Sequence, residues 1–121
     1  MRVEWAGVSF VVLSHRDGAR LRAPGLWAFV RRGASGERTL LWVDHSEDMA
    51  AEAGPAHARW PDALVLGLNE LHVCLAARSR VDRLQLRAHL IRRTEPLLNV
   101  LDEALPPADA AQPDGPARRR A

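Results

Sequence analysis

Two short apolar runs on either side of a polar, glycine-containing segment constrain the fold of this chain most. The runs are LWAFV at 26–30 and LLWV at 40–43, and the segment between them holds two glycines. This pattern predicts an antiparallel β-hairpin with a longer loop. Asp44 or Ser46 can then cap a helix, with Glu47 and Asp48 in the first turn, where the helix dipole favours acids. The remaining elements are expected to cover this hairpin.

The rest of the chain predicts further short strands and helices. Residues 1–14 form an apolar run with a weak period of two, which predicts one strand beside the hairpin or a separate ribbon, and a turn follows. We expect an α/β (α+β) fold, in which helices flank a small, mostly antiparallel three-stranded sheet with an extra N-terminal strand. The other predicted elements are helices at 46–53 and 61–66, a strand at 70–76, and helices at 79–93 and 96–105.

Composition indicates one domain with a tail. The chain has 121 residues, of which 47% are apolar, enough for a modest core. We divide it into an N-terminal strand segment at 1–22, a domain at 23–105 and a tail at 106–121, whose Pro, Ala, Asp and Arg content predicts disorder. The chain has neither a membrane-spanning apolar run nor a signal-peptide pattern, and Cys74 is its one cysteine. These features predict a cytoplasmic protein that does not bind membranes.

Charge is distributed unevenly along the chain although the formal net charge is only +2. Residues 78–93 hold six Arg and one Asp, whereas residues 44–52 hold four acids and no Arg. The basic segment could contact nucleic-acid phosphates or pair with the acidic segment, and both interpretations stay open. The residues that would contact phosphate are Arg80, Arg83, Arg87, Arg92 and Arg93.

Short motifs between residues 23 and 100 follow one another in an order that resembles the GIY-YIG nuclease domain, particularly its small stand-alone bacterial members. The resemblance implies hydrolysis of a DNA phosphodiester. In that chemistry a tyrosine helps to activate water, an arginine steadies the phosphate and a glutamate holds one divalent metal. The motifs are Gly25-Leu26-Trp27, Trp42-Val43-Asp44, Ser46-Glu47-Asp48-Met49, Leu66-Gly67-Leu68, His72-Val73, Leu90-Ile91 and Pro96-Leu97-Leu98-Asn99.

The positions that carry this chemistry in the family are replaced here. The two tyrosine positions fall on Trp27 and Trp42, and an indole donates a hydrogen bond but does not ionise or accept a proton. The helix arginine falls on Glu52, and the metal-holding glutamate falls on Arg87, which has no acceptor for a cation. Of the late residues, Asn99 is retained. The resemblance therefore implies no intact catalytic set and no metal cofactor.

The exchange of Arg and Glu between the two helices suggests a specific contact. In the family, both positions line the same cleft. We hypothesise that Glu52 and Arg87 form a reversed ion pair that closes the former active site. Trp27 and Trp42 could form a platform on which nucleic-acid bases stack, or could fill the volume of the replaced tyrosines in the core.

The resulting expectation is a catalytically degenerate GIY-YIG-like module that binds nucleic acid or a protein partner without cutting. One alternative is a divergent DNA endonuclease that uses Mg²⁺ or Mn²⁺, with Asp44, His45 and Asn99 supplying replacement chemistry. A second alternative is a structural domain for protein interaction. A rival metal site would combine Asp44, His45 and Asp48, with His57 or His72, although the spacing matches no established ligand motif.

Overall fold

A computed structural model describes residues 1–104, which form a five-stranded antiparallel sheet with helices on both faces. The strands lie in the spatial order β1-β2-β5-β3-β4. The predicted tail at 106–121 lies outside the described residues. The strands are β1 Arg2–Trp5, β2 Val8–Ser14, β3 Gly25–Arg32, β4 Arg38–Ser46 and β5 Glu70–Cys74. A 3-10 helix spans His15–Arg20, and the α-helices are α1 Met49–Glu52, α2 Trp60–Val65, α3 Arg80–Thr94 and α4 Leu97–Ala104.

The expected three-stranded sheet with a single N-terminal strand is wrong, because residues 1–14 form a hairpin rather than one strand. The chain turns at Ala6 and Gly7, which both have positive φ angles of 50° and 86°. Two such residues form the tight turn that suits the twist of a two-residue hairpin. β2 then pairs with β5, on the side of β5 away from β3. The sequence did not reveal this turn, because residues 1–14 form an apolar run whose alternation is too weak to mark where one strand ends and the next begins.

The central hairpin is confirmed, and so is the antiparallel sheet flanked by helices. The helix after the hairpin begins later than expected: β4 continues to Ser46, and Asp48 caps α1 by accepting a hydrogen bond from the Ala50 amide at 3.2 Å. α3 begins directly after Ser79, whose hydroxyl caps the helix by accepting a hydrogen bond from the Asp82 amide at 3.0 Å. One side of α3 is covered, since Leu90 is buried whereas Val81 and Leu84 are exposed.

The hairpin contains a β-bulge that directs two consecutive large residues of β4 into one core. Phe29 lies opposite Trp42, and Val30 lies opposite Leu40, so Leu41 is the extra residue. A bulge interrupts the alternation of side chains between the two faces. Leu41 and Trp42 consequently pack together in the core beneath α1, α2 and α4.

Each face of the sheet has its own apolar core. The first core lies between the sheet and α1, α2 and α4, and its central residues are Trp27, Phe29, Leu41, Trp42, Met49, Ala63, Leu71, Val73 and Leu98. The second core lies beneath α3 and contains Phe10, Leu26, Ala28, Val30, Leu40, Val43, Cys74 and Leu90. Gly25 permits the close approach of α1, because a Cβ there would lie 2.6 Å from the Met49 sulfur. No helix within residues 1–104 has the length and apolar character needed to cross a membrane.

Asn99 attaches α4 to the outer edge of β4. Its Oδ1 accepts a hydrogen bond from the Val43 amide at 2.7 Å, and its Nδ2 donates to the Val43 carbonyl at 3.1 Å. The side-chain amide thus takes the place of a neighbouring strand for one residue. Asn99 is 3% exposed, so solvent does not replace these bonds readily. This edge contact gives Asn99 a structural role.

We predict that Asn99→Ala lowers the free energy of unfolding by about 2–3 kcal/mol, because it leaves the buried amide and carbonyl of Val43 without partners. Urea denaturation followed by circular dichroism would measure the change. Val100→Ala is the matched control, because Val100 is 44% exposed on the same helix, and its effect should stay within about 0.5 kcal/mol. Equal effects of the two substitutions would contradict the role assigned to Asn99.

Candidate functional site

Asp44, near the end of β4, is the centre of a polar cluster that includes Trp42 and Arg87. Its Oδ2 accepts hydrogen bonds from Trp42 Nε1 at 3.1 Å and His57 Nε2 at 3.2 Å. Its Oδ1 accepts from the backbone amide of His45 at 2.8 Å and lies 3.2 Å from Arg87 Nε, in an ionic contact without hydrogen-bond alignment. We call Trp42, Asp44, His57 and Arg87 the Asp44 cluster. Both carboxylate oxygens are therefore already engaged by donors and a cation.

His57 is held in one tautomer by its surroundings. The Arg59 amide donates to Nδ1 at 3.0 Å, so Nδ1 is an acceptor and the proton must lie on Nε2, which faces Asp44. The imidazole also packs edge-on against Trp27 and Phe29, with ring centroids 5.2 and 5.6 Å away. In this arrangement His57 has no free nitrogen to accept a proton from water. It therefore orients the carboxylate and cannot serve as a general base in this conformation.

The environment of Asp44 favours its ionised form. Burial alone would raise the pKa of Asp44. The hydrogen bond from His57 opposes this effect, together with the His45 amide, the charge of Arg87 and the Trp42 indole, and the balance lowers the pKa below its ordinary value. The carboxylate is therefore negative at neutral pH and balances the positive charge of Arg87.

Trp27 begins a second chain of hydrogen bonds beside the Asp44 cluster. Its Nε1 donates to the Ser46 hydroxyl at 2.8 Å, and that hydroxyl donates to Glu52 Oε1 at 2.7 Å. The Glu52 carboxylate of α1 therefore accepts a hydrogen bond from Ser46 of β4 and links the two elements. The hypothesised Glu52–Arg87 ion pair is wrong, because Arg87 pairs instead with Asp44 of β4, and Glu52 accepts a hydrogen bond from Ser46. The local charge is still balanced, but by a residue of the strand.

The basic segment pairs largely with acidic residues near the end of β4. Arg83 donates to Glu47 at 2.6 Å and to the Arg78 carbonyl at 2.8 Å, and Arg80 lies 3.5 Å from the same Glu47 carboxylate. Arg83 is only 1% exposed, which leaves little of it available to a phosphate. Arg92 and Arg93 are exposed near the end of α3. The geometry thus supports charge pairing for three of the five arginines, with Arg87 as the third.

Neither tryptophan presents a free ring face to a base. Trp27 has no exposed surface, and Trp42 is 6% exposed. Both rings lie in the first core, and Trp27 packs against Phe29 with centroids 4.8 Å apart. Their positions support the core interpretation over the stacking platform.

Of the residues of the endonuclease alternative and of the rival metal site, the structure brings together Asp44 and His57, which lie 3.2 Å apart, but not a full set. Asp44 and His45 are consecutive on a strand and face opposite sides of the sheet, and both polar atoms of the Asn99 amide are bound to Val43. Asp48 caps α1, and His72 lies in a separate cluster. Within residues 1–104 no group of three or more His, Cys, Asp or Glu side chains is placed to hold a metal ion.

A polar cluster in the second core, centred on His72, was not evident from the sequence. His72 has no exposed surface; Trp5 Nε1 donates to its Nδ1 at 3.0 Å, and its Nε2 lies 2.9 Å from Glu70. Arg38 of β4 donates to Glu70 at 2.8 Å, and Phe10 of β2 packs against the imidazole. Burial lowers the pKa of His72, although the Glu70 carboxylate opposes this. Because Trp5 and His72 are 67 residues apart, local sequence patterns could not reveal the contact.

We predict that Asp44→Asn destabilises the protein by about 2–3 kcal/mol, because a neutral amide leaves Arg87 without its counter-ion and presents a donor to other donors. Thermal and urea unfolding would measure the loss. The control is Asp62→Asn, which weakens an exposed pair with Arg59 and should cost less than about 1 kcal/mol. An Asp44→Asn protein as stable as the native chain would show that the cluster contributes little to folding.

The His72 cluster predicts a pH dependence of stability. Because the pKa of His72 is lowered from its ordinary value of 6.5, the unfolded chain takes up a proton at a higher pH than the folded chain does. Stability should be greatest above about pH 6.5 and should fall on acidification, with a slope of at most about 1.4 kcal/mol per pH unit for this one proton. Buried carboxylates with lowered pKa values contribute only nearer pH 4. Urea midpoints measured from about pH 5 to about pH 7.5 test this expectation, and His72→Gln should remove the slope. An unchanged slope in His72→Gln would assign it to other groups.

Comparison with known proteins supplies no relative from which a role for the Asp44 cluster could be transferred. It found no matching family model, no matching curated protein and no matching solved structure. The resemblance to the GIY-YIG domain therefore rests on the order of the sequence motifs, and the described residues themselves are the basis for any functional conclusion.

Proposed function

We propose that this chain is a catalytically degenerate GIY-YIG-like module that binds a protein partner and does not cut DNA. The observation that carries the proposal is the Asp44 cluster. At the positions where the family would place its catalytic groups, indole nitrogens donate to Ser46 and Asp44, and Arg87 contacts the same carboxylate. A site whose indoles and carboxylate are already hydrogen-bonded, and whose arginine is already ion-paired, has little capacity to activate water or to hold a phosphate.

A surface for the partner lies between α2 and α4. Val65 is 86% exposed, and it lines a groove of about 350 Å³ together with Leu66 and Leu101. Leu64, Leu97 and Val100 are also exposed on these two helices. Exposed apolar side chains that converge on a concave surface are typical of protein interaction sites. α2 and α4 pack on the first core with some of their apolar residues and leave others exposed, where another protein can contact them.

Charge at the rim of this groove indicates the chemistry of the partner. Arg59 forms ion pairs with both Asp62 and Asp102, so two carboxylates share one guanidinium. The excess charge beside the apolar surface is negative. The fitting occupant is an apolar segment of another protein with basic residues at its ends, because such a segment complements both the surface and its rim. We also propose a cytoplasmic location, which the free, buried Cys74 supports.

A second candidate function is binding of nucleic acid through the end of α3. Arg92 and Arg93 are exposed there, and Arg92 lines a groove between α3 and α4 with Arg87. Two exposed arginines are a weaker footprint than the five that the sequence suggested. Phosphate contacts by these residues would make any binding fall steeply with salt.

The protein-binding proposal predicts what a random peptide library displayed on phage would yield against the full chain. Enriched peptides should combine apolar residues with flanking Lys or Arg, and calorimetry should show at least about tenfold weaker binding to the Val65→Ser/Leu101→Ser variant. Val81→Ser is the matched control, because Val81 is 61% exposed on α3, away from the groove. If no peptides are enriched, or if both variants bind them equally well, the assigned surface is wrong.

A gel assay tests whether the chain cuts or binds DNA. Labelled single-stranded, duplex and branched DNA would be incubated with the protein and Mg²⁺ or Mn²⁺, and one gel would report both mobility shift and cleavage. We expect no cleavage. Cleavage that a chelator abolishes would overturn the proposal, and a salt-sensitive shift reduced by Arg92→Gln/Arg93→Gln would instead support the second candidate.

A further inference from the structure

We propose that two copies of this chain associate through the outer edge of β1, which continues the sheet of one copy into the sheet of the other. β1 is the terminal strand of the sheet, and within residues 1–104 its one neighbour is β2. The partner to which the proposal commits is therefore a second copy of the same strand, aligned antiparallel about a two-fold axis. This inference is independent of the function proposed above.

The hairpin geometry determines which backbone groups of β1 are free. Residues that flank a two-residue turn form a hydrogen-bonded pair, so Trp5 directs its amide and carbonyl toward Val8 of β2. The pattern alternates along the strand, and the bond from the Val12 amide to the Met1 carbonyl, at 3.0 Å, agrees with it. The intervening residues Arg2 and Glu4 consequently direct their amides and carbonyls outward, at the open edge.

A two-fold pairing centred on Val3 satisfies these groups and matches their charges. It places Arg2 of one copy opposite Glu4 of the other, twice. Each of these pairs joins two residues whose backbone groups face outward, so each forms the two hydrogen bonds of an antiparallel pair. Arg2 and Glu4 are both exposed and lie on the same side of β1, and opposite charges in directly opposed cross-strand positions attract.

The neighbouring registers are disfavoured by charge. A pairing centred on Arg2 places Arg2 of one copy opposite Arg2 of the other, and a pairing centred on Glu4 places the two Glu4 carboxylates opposite each other. Like charges in directly opposed positions destabilise a sheet. Charged side chains on an edge strand can oppose association. Here the two charges have opposite signs and lie two residues apart, so they complement each other across the two-fold axis. The sequence of the edge therefore selects a single symmetric register.

Two side-chain contacts hold the edge in the conformation that pairing needs. The indole of Trp5 donates to His72, and His89 of α3 contacts the Ala6 carbonyl at 2.9 Å. These contacts tie β1 and its turn to the second core. A strand that is already ordered loses less conformational entropy on association. In the dimer, the two sheets form one continuous sheet of ten strands. Val3, which is partly buried against the second core, contacts Val3 of the other copy on the α3 face of that sheet.

Sedimentation analysis of the full chain over a range of micromolar concentrations tests the association. We expect a reversible monomer–dimer equilibrium, in the weak class that a small interface implies. Arg2→Glu and Glu4→Arg should each weaken self-association at least about tenfold, because each sets like charges opposite one another. Arg22→Glu, at an exposed position outside β1, is the control for a change in net charge and should leave the dimer intact.

Complementation distinguishes this register from any other contact. An equimolar mixture of the Arg2→Glu and Glu4→Arg variants should form a heterodimer, since every opposed pair then carries opposite charges. The double variant Arg2→Glu/Glu4→Arg should regain self-association. Circular dichroism would verify that each variant remains folded. A native chain that stays monomeric would overturn the proposal, as would a dimer that neither single variant weakens or variants that fail to complement each other.

Discussion

The structure depends on the need of β3 for partners on both sides and cover on both faces. From Leu26 to Val30 every residue of this strand is fully buried. A backbone removed from water must pair all of its amides and carbonyls, and β4 and β5 meet that need. The two faces of the strand then require two separate cores, which explains why so short a chain places helices on both sides of its sheet. The same requirement passes outward to β4, where Asn99 pairs with the outward amide and carbonyl of the buried residue Val43.

The polar groups in the first core follow from the chemistry of indole. A phenol can donate and accept hydrogen bonds, whereas an indole can only donate. Two buried indoles therefore need two acceptors, and the chain supplies Ser46 for one and Asp44 for the other. A buried carboxylate in turn needs cationic or donor partners, which Arg87 and His57 provide. Under the proposed relationship to nucleases, these replacements are interdependent parts of one hydrogen-bonded arrangement.

Local patterns predicted the central hairpin, because a strand buried on both faces shows a continuous apolar run. They also predicted the helix at 79–93, because Ser79 can cap it and good helix formers follow. The N-terminal hairpin was not predictable in the same way, since its turn interrupts an apolar run with only one glycine. The pairing of Arg87 with Asp44 and of Trp5 with His72 depends on the positions of strands distant in sequence. Charge and residue type indicated that partners must exist, but only the fold determines which side chains meet.

The antiparallel ladder between β2 and β5 also has a consequence for the time course of folding. β2 ends at residue 14 and its partner β5 begins at residue 70, so the apolar N-terminal hairpin leaves the ribosome long before the strand that completes it. Contacts between such distant segments slow folding, because a large loop must close before they form. During synthesis the inner edge of β2 therefore waits for β5, and Phe10 stays uncovered until the second core forms beneath α3.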